Sequence, residues 1–308
     1  MQRVLITGGT GMVGRNLIEH PASSSFDIHS PNRLELDLSN QAACIEYISR
    51  MQPDLIIHAA GRVGGIHANN SDPAGYLVEN FDMGRNVVLA AREIGVTDLI
   101  NLGSSCMYPR NAPNPLNEEC LLAGSLEPTN EGYALAKIAV ARLCDYISQA
   151  NGVNYRTVIP CNLYGPYDKF DPEVSHLLPA IIYKVHHALM NGHQEVEIWG
   201  DGNAQREFMY SGDVADGIWH FVNRIAEMPN MVNLGVGYEH TILEYYQAVA
   251  DVLEWSGSFK FDLSRPVGMK RKLVSTKRQT ALGWSPAISL RDGIQLTYEY
   301  FLTQFGLN

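Results

Sequence analysis

The sequence predicts an α/β fold, a doubly wound parallel sheet with a smaller C-terminal α/β lobe, and three observations carry that expectation. Short apolar runs alternate with helix-length amphipathic stretches through the first half of the chain, as strand–helix–strand units require. A glycine-rich turn, GGTGMVG, separates the first apolar run from the first helical stretch, the mark of a Rossmann-type sheet. The chain has 308 residues, 45% hydrophobic and 18% charged, which is enough for one large core with a lobe attached.

In chain order, strands are expected at 4–7, 26–29, 55–59, 99–102 and 155–160. Helical character lies between them, most clearly at 17–20, 42–51 and 87–93. The strongest helix spans 133–150, where Leu135, Ile138, Ala139, Leu143, Tyr146 and Ile147 form an apolar stripe that needs a packing partner. Arg142 at its edge is expected to turn its head toward water. After Pro166 the composition changes. GPYDKFDPEVSHLLP concentrates Pro, Asp and His, and a short helix, the strand-like VEIW and the turn GDGN follow. A strand near 232–236, a helix over 242–255, a basic stretch over 265–278 and a closing amphipathic helix complete the chain. The expected organisation is a nucleotide-binding domain over 1–165, revisited around 207–238, and a substrate lobe built from 166–206 and 239–308.

Charge and cysteine usage exclude several functions. The chain carries 23 basic and 33 acidic residues with no long run of either sign, which argues against nucleic acid as a partner. Cys44, Cys106, Cys120, Cys144 and Cys161 are scattered without a CxxC pair, so neither a disulfide framework nor a metal site is expected. No run of apolar residues is long enough to span a bilayer, and MQRVLITGG enters a strand at once. A reduced, cytoplasmic setting is expected.

Gly8, Gly11 and Gly14 have the spacing G-x-x-G-x-x-G, one residue off the dinucleotide fingerprint. A glycine turn at the first strand–helix junction lets the backbone approach a pyrophosphate, whose charge the helix N-terminus stabilises. The second strand ends FDIHSPNR, with no acid to bind a ribose 2′-hydroxyl and with Arg33 close behind. A cation there suits a 2′-phosphate, so NADP(H) is the expected cofactor. Asp37 is either a solvent-facing turn residue or a partner for the adenine amino group.

Tyr133 and Lys137 stand four residues apart on one helix face. An ammonium beside the phenol is expected to lower a pKa that starts near about 10. A tyrosine so tuned can pass a proton to or from a substrate oxygen. The segment GSSC (103–106) ends the fourth strand, where open parallel sheets bind their ligands, and the Ser104 hydroxyl can hold the same oxygen.

Together these residues resemble the extended short-chain dehydrogenase/reductase family over essentially the whole chain. More narrowly, RVGGIHANN (62–70), LGSSCMYP (102–109), LEPTNEGYALAKIA (126–139), NLYGPYDKFDPEVSHLLPA (162–180) and WGDGNAQREF (199–208) are similar to its epimerase–reductases of GDP-4-keto-6-deoxymannose. The resemblance implies NADPH as hydride donor and a GDP-4-keto-6-deoxy sugar as substrate. The implied reaction is epimerisation at C3 and C5 followed by C4 reduction to GDP-L-fucose. It implies Cys106 and His176 as base and acid of the epimerisation. Tyr133 would be the proton donor to the C4 oxygen, Ser104 a hydrogen-bond donor, and Lys137 both the tuner of Tyr133 and a ligand of the nicotinamide ribose. Met12, Val13, Leu102, Gly103, Ser105, Pro160, Asn162, Leu163 and His176 fall where the family lines its cofactor. Lys184, Trp199 and Arg206 match its sugar-nucleotide positions: cations suit a pyrophosphate and an indole suits flat or apolar surface. Trp199 also reads as a buried lobe anchor, and Arg206 as a bridge between lobes. A homodimer through paired helices is the family expectation.

Three positions depart from the family pattern. Arg265-Pro266-Val267-Gly268 stands where the family reads Lys-Pro-Asp-Gly, VSTKRQ (274–279) lacks an aspartate, and Cys161 replaces a threonine. Val267 cannot accept a hydrogen bond through its side chain, which keeps open a second reading. That reading is a C4 reductase of a GDP-4-keto-6-deoxy hexose or heptose with little or no epimerase activity. A sugar-nucleotide dehydratase is disfavoured, because Ser105-Cys106-Met107 stands where it needs an acidic pair. A non-catalytic NADP-binding regulator is disfavoured by the presence of both Tyr133 and Lys137.

Overall fold

A computed structural model describes residues 1–171, 175–264 and 269–306, so Val267 and its neighbours at 265–268 lie outside the described residues. The first half runs β1 (Arg3–Thr7), α1 (Met12–Glu19), β2 (Asp27–His29), α2 (Gln41–Met51), β3 (Leu55–His58), α3 (Ile66–Ser71), α4 (Pro73–Ile94), β4 (Asp98–Leu102), α5 (Glu131–Asn151) and β5 (Asn154–Pro160). The second half runs β6 (Asn162–Tyr164), α6 (Leu177–Met190), β7 (Glu195–Trp199), β8 (Gln205–Arg206), β9 (Phe208–Tyr210) and α7 (Ser211–Val222). It then continues through β10 (Met231–Leu234), β11 (His240–Thr241), α8 (Ile242–Val252), β12 (Ser258–Asp262), α9 (Lys277–Ala281) and α10 (Leu290–Phe305).

Six strands form one sheet in the order β10-β5-β4-β3-β1-β2, with every pairing parallel. Its central strands are largely apolar because helices cover both faces. On one face Val87 and Val88 of α4, Val140 and Ile147 of α5 and Ile48 of α2 pack over Leu5, Ile56 and Leu99. On the other, Leu17 of α1 and Ile218, Trp219 and Phe221 of α7 pack over Val4, Ile6 and Ile57. The Trp219 indole stacks on Phe26 at 4.7 Å, and its Nε1 donates to the Leu17 carbonyl at 3.0 Å. Strand order reverses between β1 and β3, which opens a crevice at their carboxyl ends. A separate core gathers Leu178, Ile182 and Val185 of α6, Tyr245 and Val249 of α8, Ile198 of β7 and Ile294 and Phe301 of α10.

Several elements differ from the sequence expectation. The helix expected at 87–93 is the last third of α4, which begins at Pro73 behind an Asp72 cap that accepts from Gly75 N at 3.0 Å. Its inward face carries Asn80, Gly84 and Asn86, so polar and small residues interrupt the apolar pattern. The expectation contains no helix at α7. That helix is buried nearly all round, which erases the contrast between faces on which a sequence reading depends. In α5 the buried face is Ala134, Ile138, Val140, Ala141, Cys144 and Ile147, whereas Leu135 and Tyr146 of the expected stripe are 41% and 59% exposed. Gly84 explains the choice of face: a Cβ there would lie 2.5 Å from Val140, so α4 and α5 approach too closely for larger residues between them.

One long-range seam shapes the site. Leu116 N donates to the Leu273 carbonyl and Ser275 N to the Leu116 carbonyl, both at 2.7 Å, and Leu116 bridges Val274. Asn233 at the end of β10 locks this seam. Its N–H donates to Glu118 Oε1, its Oδ1 accepts from Tyr108, and its Nδ2 donates to the Leu116 and Ser275 carbonyls. Within the basic stretch, Arg271 pairs with Glu239 and Arg278 with Glu118 and Glu119.

Candidate active site

The glycine turn lies in the crevice. Gly8 has φ +77°, and a Cβ there would come within 2.6 Å of the Ala60 backbone nitrogen, so only glycine lets this turn pass the segment after β3. A Cβ on Gly14 would stand 2.2 Å from the Gly8 carbonyl oxygen, so its absence lets α1 pack onto the turn. Gly11 differs. It is exposed, an added Cβ would meet only Gly8 O at 3.4 Å, and it precedes α1 without a side-chain cap. The first-turn amides of α1 are therefore left for an anion, and this bare cradle fits a pyrophosphate. Met12 and Val13, both half-buried, form the first residues of α1.

No carboxylate stands at the tip of β2, and Arg33 is exposed behind it. The Asp37 carboxylate is exposed and accepts from Ser39 N at 3.0 Å and Ser39 Oγ at 2.7 Å. Those bonds, with a smaller contribution from Arg33, hold it below the usual carboxylate range. Asn86 of α4 donates to the Leu38 and Ser39 carbonyls and fixes this turn.

Ser104, Cys106, Tyr133 and Lys137 come together at the carboxyl end of β4. Ser104 caps the short turn after the strand, and its Oγ accepts from Cys106 N at 3.3 Å. Ser104 stands close enough to the Tyr133 hydroxyl to favour its ionised form. Lys137 Nζ is buried, donates to the Leu102 carbonyl at 2.9 Å and lies 5.8 Å from the centre of the Tyr133 ring. One expectation is overturned here: the Tyr133 phenol is pushed above its ordinary value, not below it. Burial is the main cause and nearby Cys106 adds to it, while only Ser104 opposes them. Burial also lowers Lys137 to about 8. Beside it, His58 is fully buried with Nδ1 2.8 Å from Thr7 Oγ1, and burial and Lys137 lower it to about 3, so the imidazole is neutral.

Two donors that sequence reasoning missed hold Cys106. Asn130 Nδ2 and Lys272 Nζ each lie 3.2 Å from its Sγ. Asn130 comes from the start of α5, and Lys272 arrives on the seam strand from 166 residues away. In the sequence Lys272 is one cation within a basic run, with no spacing that points to Cys106. His176 precedes α6, and its Nδ1 lies 3.7 Å from Asp168 Oδ1. The segment after β3 links the two halves: a Cβ on Gly61 would lie 3.5 Å from Lys137 Nζ, and one on Gly65 would lie 3.8 Å from the Ser175 carbonyl. Asn80, also missed, fixes that segment by accepting from Arg62 N at 2.9 Å and donating to the Arg62 carbonyl at 3.1 Å.

The remaining predicted residues line the strand ends. Leu102, Gly103, Ser105 and Pro160 are buried, while Asn162 and Leu163 are half-buried in β6. Gly103 N donates to the Val158 carbonyl at 2.8 Å and Asn162 Nδ2 to the Glu207 carbonyl at 2.8 Å. Cys161 is buried, and burial raises its thiol well above the ordinary value. Trp199 is 49% exposed, which rules out a buried lobe anchor. Lys184 Nζ lies 5.0 Å from the centre of the indole. Arg206 is half-buried, and burial lowers its pKa against the opposing pull of Glu127 and Glu239. A cleft of about 610 Å³ opens between residues 110–129 and 269–271, lined by Arg110, Glu127, Lys270 and Arg271 among others.

The sequence model of the NAD dependent epimerase/dehydratase family matches residues 4–235. A GDP-L-fucose synthase of Azorhizobium caulinodans is 51% identical over 302 residues, covering 98% of this chain and 97% of that protein. A GDP-L-colitose synthase of Yersinia pseudotuberculosis is 48% identical over 303 residues, covering 98% of both. Among solved structures, the GDP-mannoheptose C4 reductase of Campylobacter jejuni with NADP bound superposes with a TM-score of 0.88. It is 31% identical and covers 97% of this chain and 98% of its own.

Proposed function

The chain belongs to the NAD dependent epimerase/dehydratase family, and from that premise we propose that it is an NADPH-dependent epimerase–reductase converting GDP-4-keto-6-deoxy-D-mannose to GDP-L-fucose. The observation that carries this reading is a doubled set of proton-handling groups where the short turn after β4 meets α5. Ser104, Tyr133 and Lys137 gather at the carboxyl end of β4, and Cys106, held by Asn130 and Lys272, stands two residues from Ser104. A plain reductase needs only the first set.

A ketone at C4 acidifies the protons on C3 and C5, because the carbanion left behind is an enolate. Cys106 Sγ takes the proton from one face of the sugar, and His176 returns one to the other face, which inverts the centre. The Ser104 and Tyr133 hydroxyls donate to the enolate oxygen while the carbon is flat. The two donors at Sγ fix where its lone pair points. For the reduction, bound NADPH supplies the hydride to C4. The Tyr133 hydroxyl gives its proton to the C4 oxygen, and the raised pKa suits that direction by keeping the phenol protonated. The Lys137 ammonium offsets the phenolate that results.

In this reading Gly8, Gly11, Met12, Val13 and Gly14 would hold the pyrophosphate of NADPH and Arg33 its 2′-phosphate. Leu102, Gly103, Ser105, Lys137, Pro160, Asn162, Leu163 and His176 would line the nicotinamide end. Lys184, Trp199 and Arg206 would hold the sugar nucleotide, supported by the exposed indole beside its lysine. Among the described residues no helix is long and apolar enough to cross a membrane. A cytoplasmic location rests on the need for NADPH and on five free cysteines. A homodimer through α4 and α5 is supported by an apolar groove of about 420 Å³ lined by Leu77, Val78, Phe81, Leu135 and Ala139.

A second reading keeps this site and changes the sugar to another GDP-4-keto hexose or heptose, reduced with little or no epimerisation. It rests on the names of the Yersinia and Campylobacter relatives. Incubation with NADPH and GDP-4-keto-6-deoxymannose in D2O, followed by NMR of the product, separates the two. GDP-L-fucose carrying deuterium at C3 and C5 is the expected outcome. Cys106→Ser should cut that incorporation about 100-fold or more and divert the enzyme to reduction of unepimerised sugar. Wild-type product with neither label nor inversion would establish the second reading.

A further inference from the structure

Asp168 lies in the GPYD segment, outside every role assigned above. Its side chain is only 7% exposed, and Oδ2 is buried with no hydrogen-bond partner among the described residues. Oδ1 accepts from Lys169 N at 2.8 Å and lies 3.7 Å from His176 Nδ1. A buried carboxylate is costly unless a cation or donor stands beside it, and the His176 ring is the ionisable group that Oδ1 faces.

The backbone that carries it is also held in an unfavourable form. Tyr167 has φ +71°, a left-handed conformation that a bulky residue rarely adopts without restraint. Three contacts restrain it: the hydroxyl donates to Glu19 Oε1 at 2.5 Å, the ring lies 4.8 Å from the Arg15 guanidinium carbon, and it meets Tyr300 edge-on at 5.0 Å. Asn16 Nδ2 adds a bond to the Pro166 carbonyl at 3.2 Å. Side chains of α1 and α10 thus force a turn whose effect is to set a buried carboxylate beside His176.

We propose that Asp168 is a positioning residue for His176, its carboxylate holding the Nδ1–H form of the ring so that Nε2 is the atom that handles protons at the sugar. The function assigned to Nε2 rests on the epimerase reading above, whereas the hold on Nδ1 does not. When the imidazolium delivers its Nε2 proton to the sugar carbon, a C–H bond forms as the N–H bond breaks. The ring is left neutral with Nδ1–H still facing Asp168. An imidazole without this partner is free to lose either proton or to turn.

The test uses the full chain labelled with ¹⁵N-histidine, the His176 signals being assigned by their loss in His176→Gln. Wild-type protein should show the Nδ1–H pattern for neutral His176, and Asp168→Asn should lose it. In D2O with NADPH and GDP-4-keto-6-deoxymannose, Asp168→Asn should cut deuterium incorporation per NADPH oxidised about tenfold. Asp168→Glu should recover part of both effects, and it carries the test alone if Asp168→Asn does not fold. An Nδ1–H pattern that survives Asp168→Asn, or that wild-type protein lacks, overturns the proposal. Wild-type protein that reduces the sugar without incorporating deuterium removes the epimerase reading and the function of Nε2 with it, while the ring spectrum still decides the hold on His176.

Discussion

At the scale of single residues, burial governs the chemistry more than charge pairing does. Tyr133 and Lys137 are four apart, as the sequence states, but removal from water raises the phenol and lowers the ammonium, so both are held closer to their neutral forms. The charged form of Lys137 is present below about 8 and is lost as pH rises through that value. The rate of C4 reduction under saturating NADPH and sugar is therefore expected to fall above about pH 8, measured as NADPH oxidation across a pH series. Lys137→Met should lower the rate and remove that limb of the profile. Spacing made Ser104, Tyr133 and Lys137 legible, because one turn and one helix hold all three. Lys272 and Asp168 were illegible for the opposite reason. Lys272 reaches Cys106 through a contact that no local pattern encodes, and Asp168 reaches His176 through a turn that α1 and α10 impose.

At the scale of elements, the glycine turn separates residues that build the fold from one that leaves room for a ligand. Gly8→Ala places a Cβ against the Ala60 backbone at a left-handed φ, and it should cost about 1–3 kcal/mol from the conformation alone, read by urea unfolding. Gly11→Ala meets only an ordinary contact and should leave the unfolding midpoint unchanged, while weakening NADPH binding about tenfold in a fluorescence titration. Equal loss of stability in both variants would contradict this division. Strands β1, β3, β4 and β5 were legible because strands covered on both faces carry short, mostly apolar runs. The helix α7 was not, since burial on all sides leaves no polar face to set the period. Most of α4 was hidden because Asn80 and Asn86 use its buried face to pin loops, so polar residues stand where an apolar stripe is expected.

At the scale of the whole molecule, Leu135 and Ala139 together with Leu77, Val78 and Phe81 leave an apolar groove uncovered on the outer face of α4 and α5. Joint substitution Leu77→Glu and Leu135→Glu should convert the proposed dimer to monomer in sedimentation velocity while leaving NADPH binding intact. A dimer that survives both changes would exclude this face. The doubly wound parallel sheet followed from the alternation of strand and helix, and the return of the chain to it from a single short apolar run near 232–236. The seam between Leu116 and Val274 had no such trace. That seam has a consequence for how the protein is made. Gly8, Ser104, Cys106 and Tyr133 all leave the ribosome early, but Lys272 follows Cys106 by 166 residues of synthesis. The nascent chain thus carries its dinucleotide cradle and its tyrosine well before the thiol meets its lysine, and a chain that ends before Lys272 keeps the first two and lacks that meeting.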